Sequence, residues 1–516
     1  MVLRSHAVWI WPIVLAVLVL LTQSGALVHE VLNWDESTFM LLGSDLRDGT
    51  LPYIERFDNK PPMIFFIYAG WMSVFGETVM SARLLGDFSM WLIAVTVFLI
   101  ARRHVDDLAA GAAAALYVSI HAVEPGFHTA AGFPAMAMVM VALYLLLVYP
   151  LRHSAVLCAG VLIGIAVLTR TNLAYLALAS GLWIAALGLG WPGRFGFMRM
   201  SPFIYGAGGL IPLGLILAIF AYGGALHELW LASVEVALSY SKEWETGAIR
   251  AGIGHVYQWM HSMSETPLLH GPFLVATLLG VVATLWPRSL ARESEPDAGP
   301  GLTLMDWALI WVFLISIQWS ILQSGSVYKH YWQQFFPLTC LFVAVLIGRL
   351  KGHAVWRGLA LALVAVPILA GLGRMGPSSV QVLTKPGYAT DQYDILAASH
   401  ILEDMMEPGD RVWALTHHLI LQYLDLPTVS RVTAHPSNIT RASITTPLED
   451  AGYIQPNELE RVMNSLPEFI LSNADGHPYY FPDRALIPAY LEAHYELVHA
   501  TPVITIYKLK QDQSRP

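Results

Sequence analysis

The sequence predicts a polytopic α-helical membrane protein of about eleven spans with a small α/β domain at its C-terminal end. Three observations predict this class. Of 516 residues, 55% are hydrophobic and 13% charged, against about 25% charged in soluble proteins. Apolar runs of bilayer-crossing length recur from residue 7 to residue 373. From about residue 380 those runs stop, polar and charged residues rise, and short β-rich stretches alternate with helical patterns. The expected division is a membrane domain over 1–375 and an extracytoplasmic α/β domain over 376–516.

A crossing takes roughly 20 mostly apolar residues. Runs of this kind lie near 7–28, 84–101, 108–122, 132–149, 154–169, 172–190, 203–222, 271–287, 303–323, 332–348 and 354–373. The first lacks a small-residue cleavage site and reads as a retained span. Seventeen Trp and twenty-one Tyr suit two membrane–water belts. Cys158 and Cys340 both sit inside apolar runs, so no disulfide framework is expected.

The connections alternate in charge. Arg4, Arg102, Arg103, Arg152, Arg194, Arg199, Arg288, Arg292, Arg349, Lys351 and Arg357 fall on one set, and most acids fall on the other. The positive-inside rule makes the first set cytoplasmic, with the N-terminus. An odd number of spans then puts the tail outside. The expected location is a multi-pass protein of the plasma (inner) membrane with an extracytoplasmic C-terminal domain. The net charge of −9 adds little, because the arrangement of Lys and Arg carries the information.

Two outer connections, 29–83 and 223–270, are too long to be turns. In the first, Phe39, Leu42 and Leu46 recur at helical spacing opposite Asp45 and Asp48, which reads as a helix on the membrane surface. PPMIFFIYAGWMSVFG over 61–76 is apolar but short, as in interfacial or re-entrant helices. RSLARESEPDAGPG over 288–301 reads as an unstructured inner loop. In the tail, RVWAL, EFILS and VITIYKL read as strands, and QYDILAASHILEDMM and NELERVMNSL as helices. Asn438-Ile439-Thr440 fits a glycosylation sequon, a triplet common by chance.

Ionisable groups at membrane depth are costly and mark function or pairing. Here they gather on the outer side: Asp35 and Glu36 after the first span, Lys60 before Pro61-Pro62, Arg83 opening the second span, Glu124 and His128 after the third, Arg170 in TRTN, and Lys329, His330 and Tyr331 heading the tenth. A base and an anion clamp can be built from such a set. Structural roles stand beside the functional ones. Asn33-x-x-Glu36 fits a capping-box pattern, and Asp35 favours the positive end of that helix. Lys60 also suits lipid phosphates, Arg83 also suits snorkelling, Arg170 also suits pairing with an acid, Lys329 and His330 also suit anchoring at the belt, and Glu124 also suits capping. Trp230, Trp244 and Trp259 in the second long loop suit belt packing more than stacking on sugar rings. The chain carries no P-loop, no HExxH and no Cys/His cluster with zinc spacing, and nothing in it calls for a nucleic-acid partner.

The ordered series NWDE, DNKPPMIFFIYAGWMSVFG and MSARLLGDFSMWL, followed by CAGVLIGIAVLTRTNLAYLAL and YKHYWQQFFPLTCLFVAVLIG, resembles the GT-C glycosyltransferases. The likeness is greatest to the branch with protein O-mannosyltransferases and the lipid A aminoarabinose transferase, and it covers the membrane part. It implies a polyprenyl-phosphate–sugar donor used on the extracytoplasmic face. Asp35 matches the family's catalytic aspartate and Glu36 its acidic neighbour. Lys60 matches the lysine of the KPP motif, near the donor phosphate, and Arg83 the arginine before the second span. Arg170 stands where relatives often have Lys. AAGFPAM over 130–136 departs from the acid that many members place at the start of the fourth span, so Glu124 is a candidate substitute there, or the position sets the acceptor.

The resemblance implies an inverting transfer. Asp35 acts as general base on an acceptor hydroxyl, Glu36 orients, and the leaving phosphate is met by Lys60, Arg83, Arg170 and Lys329 or His330 with Tyr331. Glu124, His128 and Trp244 are candidates for the acceptor or sugar. The scheme needs no cofactor and leaves a divalent metal open. The partners expected are the lipid-linked donor, the bilayer, and a lipid, polysaccharide or protein acceptor. The alternatives are a ligase or polymerase of lipid-linked glycans, a transporter or flippase, and an inactive scaffold displaying the outer domain. Charges clustered at one interface rather than mid-bilayer weigh against transport.

Overall fold

Each of the eleven expected spans is a helix in the computed structural model, which describes residues 2–123, 129–194, 196–243, 247–285, 304–323, 325, 328–474, 478 and 480–511. Among the described residues, seven helical stretches are long and apolar enough to cross a bilayer: Trp9–Val28, Val79–Ala101, Thr171–Gly190, Ser201–Tyr222, Pro267–Leu285, Leu304–Gln323 and Ala354–Thr384. The other four, Asp107–Ile120, Gly132–Val148, His153–Thr169 and Phe336–Arg349, have 14 to 17 residues. Two of these continue into 3-10 turns, His121–Val123 and Lys329–Gln334. A 3-10 turn rises about 2.0 Å per residue against 1.5 Å in an α-helix, so these turns extend the shorter rods. The expected inner loop over 288–301 lies outside the described residues.

The chain divides into two compact units that interleave along the sequence. One holds 1–26, 83–215 and 245–386, and the other holds 27–82, 216–244 and 387–516. The first unit is the helical bundle. Its core is built from Ile93, Val97, Phe98, Leu116, Tyr117, Phe133, Leu143, Phe313 and Phe342, all buried. Small residues let backbones meet: a Cβ on Gly160 or Gly164 would collide with the Tyr205 or Gly209 carbonyl oxygen of the helix Ser201–Tyr222. Such close approach is the usual basis of helix packing in membranes, where burial from water supplies no drive.

The second unit joins the first outer loop to the tail. The helix Trp34–Arg47 buries Phe39, Met40, Leu41 and Leu42, and Phe39 meets Phe65 and Tyr68 of the helix Met63–Phe75 at ring distances of 6.0 and 5.4 Å. Gly43 sits at this crossing, where a Cβ would stand 2.8 Å from Met72 Cε and 3.2 Å from the Ala69 backbone nitrogen. The tail forms a four-stranded sheet from β1 (Val412–Ala414), β2 (Phe469–Asn473), β3 (Tyr495–Ala500) and β4 (Ile504–Leu509). The order is β1-β2-β4-β3, with β1 parallel to β2 and the other pairs antiparallel. β1, β2 and β4 are the expected strands. β3 is an addition: only its first residue is buried, so it lacks the apolar signal of the others.

Loop and tail are tied by specific bonds. The Glu30 carboxylate accepts the backbone N–H groups of Ile395 (2.6 Å) and Leu396 (2.8 Å) in the first turn of the helix Asp394–Met405, where orphan donors and the helix dipole favour an acceptor. Tyr393 donates to the Leu27 carbonyl at 2.9 Å, and the Phe57 N–H to the Arg431 carbonyl at 2.7 Å.

Candidate active site

Asn33 starts the site. Its extended backbone (φ −151°, ψ 134°) and side-chain oxygen cap the helix Trp34–Arg47, accepting the Asp35 N–H at 2.9 Å. An Asn cap of this kind halts the incoming chain and opens a helix. Asp35 and Glu36 then lie in the first turn, where carboxylates are favoured. Consecutive helical residues diverge by about 100°, and the two acids part accordingly: Glu36 is 2% exposed, while the Asp35 side chain keeps 19%.

The loop 48–62 returns a cation to Asp35. Lys60 Nζ donates to Asp35 Oδ1 at 3.1 Å and to Asn59 Oδ1 at 3.2 Å, and lies 3.9 Å from Asp58 Oδ2. Tyr53 fixes this turn by donating its hydroxyl to the Lys60 carbonyl at 2.6 Å. Burial works against the Lys60 ammonium, but Asp35 and Asp58 outweigh it and raise its pKa, so Lys60 is charged at any working pH. Asp58 is fully buried. Asn438 Nδ2 reaches its Oδ1 at 3.5 Å, and among the described residues its Oδ2 accepts no hydrogen bond. Asn438 is itself buried, so the sequon offers no exposed amide for a glycan.

The tail supplies the opposite wall. His435 Nε2 stands 3.6 Å from Asp35 Oδ1, and its Nδ1 is 3.1 Å from Ser437 Oγ. Trp34 packs edge-on against the His435 and Tyr480 rings at 5.8 and 5.4 Å. Thr38, one turn along the same helix, donates to the Ala434 carbonyl (3.1 Å) and lies 3.2 Å from His418 Nε2. Burial lowers the pKa of both His435 and His418, with Asp35 opposing it in each case. Arg441 donates to the Tyr240 hydroxyl at 3.3 Å. A carboxylate flanked by an ammonium and a neutral imidazole can accept a proton, and the ammonium can face an anion.

The remaining expected residues belong to the helical unit. Arg83 is 1% exposed and donates to the Ala26 carbonyl at 2.9 Å. Arg170 ends the helix His153–Thr169, donates to Asn172 Oδ1 at 3.3 Å, and lays its guanidinium over the Tyr331 ring at 4.7 Å. Two expected residues far apart in sequence are thereby brought together. Tyr331 also meets His330 edge-on at 4.7 Å, and Lys329 pairs with Glu265 at 3.3 Å. Trp259 stacks on Trp332 and Phe273 at 4.9 and 6.2 Å, a packing role. Glu124, His128 and Trp244 lie outside the described residues. Among the described residues no group of three or more His, Cys, Asp or Glu is placed to hold a metal ion.

Asp58, His435, His418 and Arg441 were not among the residues expected from sequence. Asp58 had a signal, an acid two residues before Lys60 in DNKPP. The tail residues had none, because nothing in the sequence ties them to a loop some 400 positions away.

Residues 59–218 match the family profile described as dolichyl-phosphate-mannose–protein mannosyltransferase. That segment includes Lys60, Arg83 and Arg170, and leaves Asp35 and Glu36 outside. The crystal structure of ArnT from Cupriavidus metallidurans bound to undecaprenyl phosphate is similar at a TM-score of 0.59 and 13% identity, over 98% of this chain and 99% of that one. The oligosaccharyltransferase of Archaeoglobus fulgidus in complex with Zn and sulfate is similar at 0.50 and 11% identity, over 97% of this chain and 73% of that one. No curated protein sequence matches the chain. The protein is a multi-pass membrane protein of the GT-C glycosyltransferase fold, as its ordered motifs lead one to expect.

Proposed function

We propose that the protein transfers a sugar from a polyprenyl-phosphate donor to an acceptor hydroxyl on the extracytoplasmic face, with inversion. The observation that carries this reading is the Asp35–Lys60 pair, 3.1 Å apart where the chain leaves its first span. A lipid-linked donor keeps its isoprenoid in the bilayer and its phosphate at headgroup level, so its reader belongs at that depth. The undecaprenyl phosphate bound by the ArnT structure supports a donor of this class.

The step balances as a single displacement. The acceptor oxygen bonds to the anomeric carbon while the bond from that carbon to the phosphate oxygen breaks. The hydroxyl proton goes to Asp35, and the electron pair leaves with the phosphate. Lys60, held charged, meets the charge that grows there, an interaction that strengthens toward the transition state. A positioned base contributes about 10²–10⁴ in rate. Glu36, buried beside Asp35, shapes the first turn. Arg83, sealed against Ala26, acts as a strut at the start of its span. Arg170 carries the planar fork suited to phosphate, and Lys329, His330 and Tyr331 lie on the segment that reaches it. Arginines on one set of loops support an N-terminus in the cytoplasm of a plasma (inner) membrane.

The test is to incubate membranes holding the protein with a panel of labelled polyprenyl-phosphate hexoses and pentoses and to follow label into lipid, polysaccharide and protein fractions. Transfer to one fraction, absent from membranes without the protein, is expected. Label that crosses the bilayer while still on its polyprenyl phosphate would replace this reading with transport.

A further inference from the structure

We propose that His435 is a positioning residue for Asp35 and the outlet for the proton that Asp35 takes from the acceptor. The inference rests on the reading of Asp35 as base and adds a participant from the tail. A general base must be held in place and must lose its proton before the next turnover. Lys60 holds Asp35 but cannot accept a proton, because Asp35 and Asp58 keep it charged. His435 approaches the same oxygen from the other side, Nε2 to Oδ1 at 3.6 Å. An approach of about 0.5 Å makes this a hydrogen bond.

The placement is built into both backbones. His435 lies between two 3-10 turns, Arg431–Ala434 and Pro436–Thr440. Pro436 confines it to the extended region, where it stands at φ −110° and ψ 116°. Neighbours of Asp35 grip neighbours of His435. Trp34 packs on the imidazole itself, and Thr38 donates to the carbonyl of Ala434, the residue before it. Three residues of one helix end, Trp34, Asp35 and Thr38, therefore address two consecutive residues of the tail.

The chemistry follows from the ring's second nitrogen. With Nδ1–H donating to Ser437 Oγ at 3.1 Å, the Nε2 lone pair faces Asp35 and can take its proton. Loss of the Nδ1 proton by way of Ser437 to water leaves the neutral Nε2–H tautomer, and exchange of that proton for one on Nδ1 through water restores the accepting ring, so the net movement is one proton from acceptor hydroxyl to Asp35, to His435 and to solvent. The charged and titratable groups facing His435 are Asp35 on the helix, Asp58 and Lys60 on the loop, and Arg441 and His418 from the tail. The two acids favour the imidazolium and the cations oppose it. Burial favours the neutral ring, as a carrier that must be ready to accept requires.

The experiment compares full-length wild type, Asp35→Asn, His435→Ala and His435→Gln on the undecaprenyl-phosphate sugar that wild type turns over. His435→Ala is expected to lower kcat about 100-fold, the lower end for a positioned proton carrier, with donor KM within about twofold. Added imidazole is expected to restore turnover in proportion to its neutral form. His435→Gln keeps an N–H near Asp35, so it is expected to keep donor KM, to stay slow, and not to respond to imidazole in its filled site. Wild-type kcat in His435→Ala alongside an inactive Asp35→Asn would overturn the role of His435 and leave the base intact. A loss in His435→Ala that imidazole leaves untouched, with His435→Gln fully active, would reduce His435 to packing. An active Asp35→Asn would remove the base reading itself.

Discussion

Asp35 and Lys60 stand 25 positions apart, and both were legible because motif and charge coincide on one loop. What the sequence concealed is how many partners Asp35 has. Asp58 and His435 turn a simple ion pair into a four-member set, and the pairing of loop with tail is a tertiary fact that no local pattern encodes. The set makes a prediction for Lys60. Lys60→Met keeps much of the stem while deleting the charge, so it leaves Asp35 and Asp58 mutually repelling. Donor use should fall at least tenfold in kcat/KM, with the loss shrinking for donors whose phosphate is neutralised by methylation. An equal loss for charged and methylated donors would return Lys60 to a structural role. Glu30 makes a second prediction. Burial raises its pKa from 4.5 to about 7, against the pull of the Ile395 and Leu396 N–H groups. A carboxyl raised on folding stabilises most below its unfolded value and loses that contribution as pH climbs through its folded value. Thermal stability of wild type should therefore decline between about pH 4.5 and 7 relative to Glu30→Gln, measured in the same detergent. Parallel profiles would show that Glu30 is not a buried neutral acid in this window.

Element by element, composition and period sufficed for the helices. Eleven apolar runs became eleven helices, and the ends moved most at Ala354–Thr384, which continues beyond the expected 373, and moved also at Val79–Ala101, which opens before the expected 84. The exposed strand β3 was missed because strands announce themselves by buried alternation, and its pattern offers one buried residue in six. The surface helix Trp34–Arg47 was expected from Phe39, Leu42 and Leu46, but its partner was not. It packs on Met63–Phe75 through Gly43, with Tyr68 and Met72 closing over the gap. Gly43→Leu should overpack this crossing, costing about 1–3 kcal/mol and tilting the first turn that carries Asp35. Differential scanning fluorimetry should show a lowered Tm with reduced kcat. A variant as stable and as active as wild type would mean that the two helices separate freely.

For the whole molecule, the membrane class was legible from composition and apolar runs and the GT-C fold from the order of motifs, while the interleaving of compact units was not. Residues 27–82 and 216–244 share a unit with the tail, and a reading that runs along the chain places cuts between segments rather than joining them. The consequence is functional: the proposed base, its lysine and its histidine come from two stretches of sequence and one folded unit. The tail thus supplies a wall of the proposed site. The most direct measurement is single-turnover transfer by purified Asp35→Asn reconstituted with a polyprenyl-phosphate sugar that wild type uses. The predicted result is donor binding at wild-type affinity with the transfer rate down at least 100-fold and an inverted anomeric product from wild type. Transfer by Asp35→Asn at the wild-type rate, or a product that retains the donor's anomeric configuration, would contradict it.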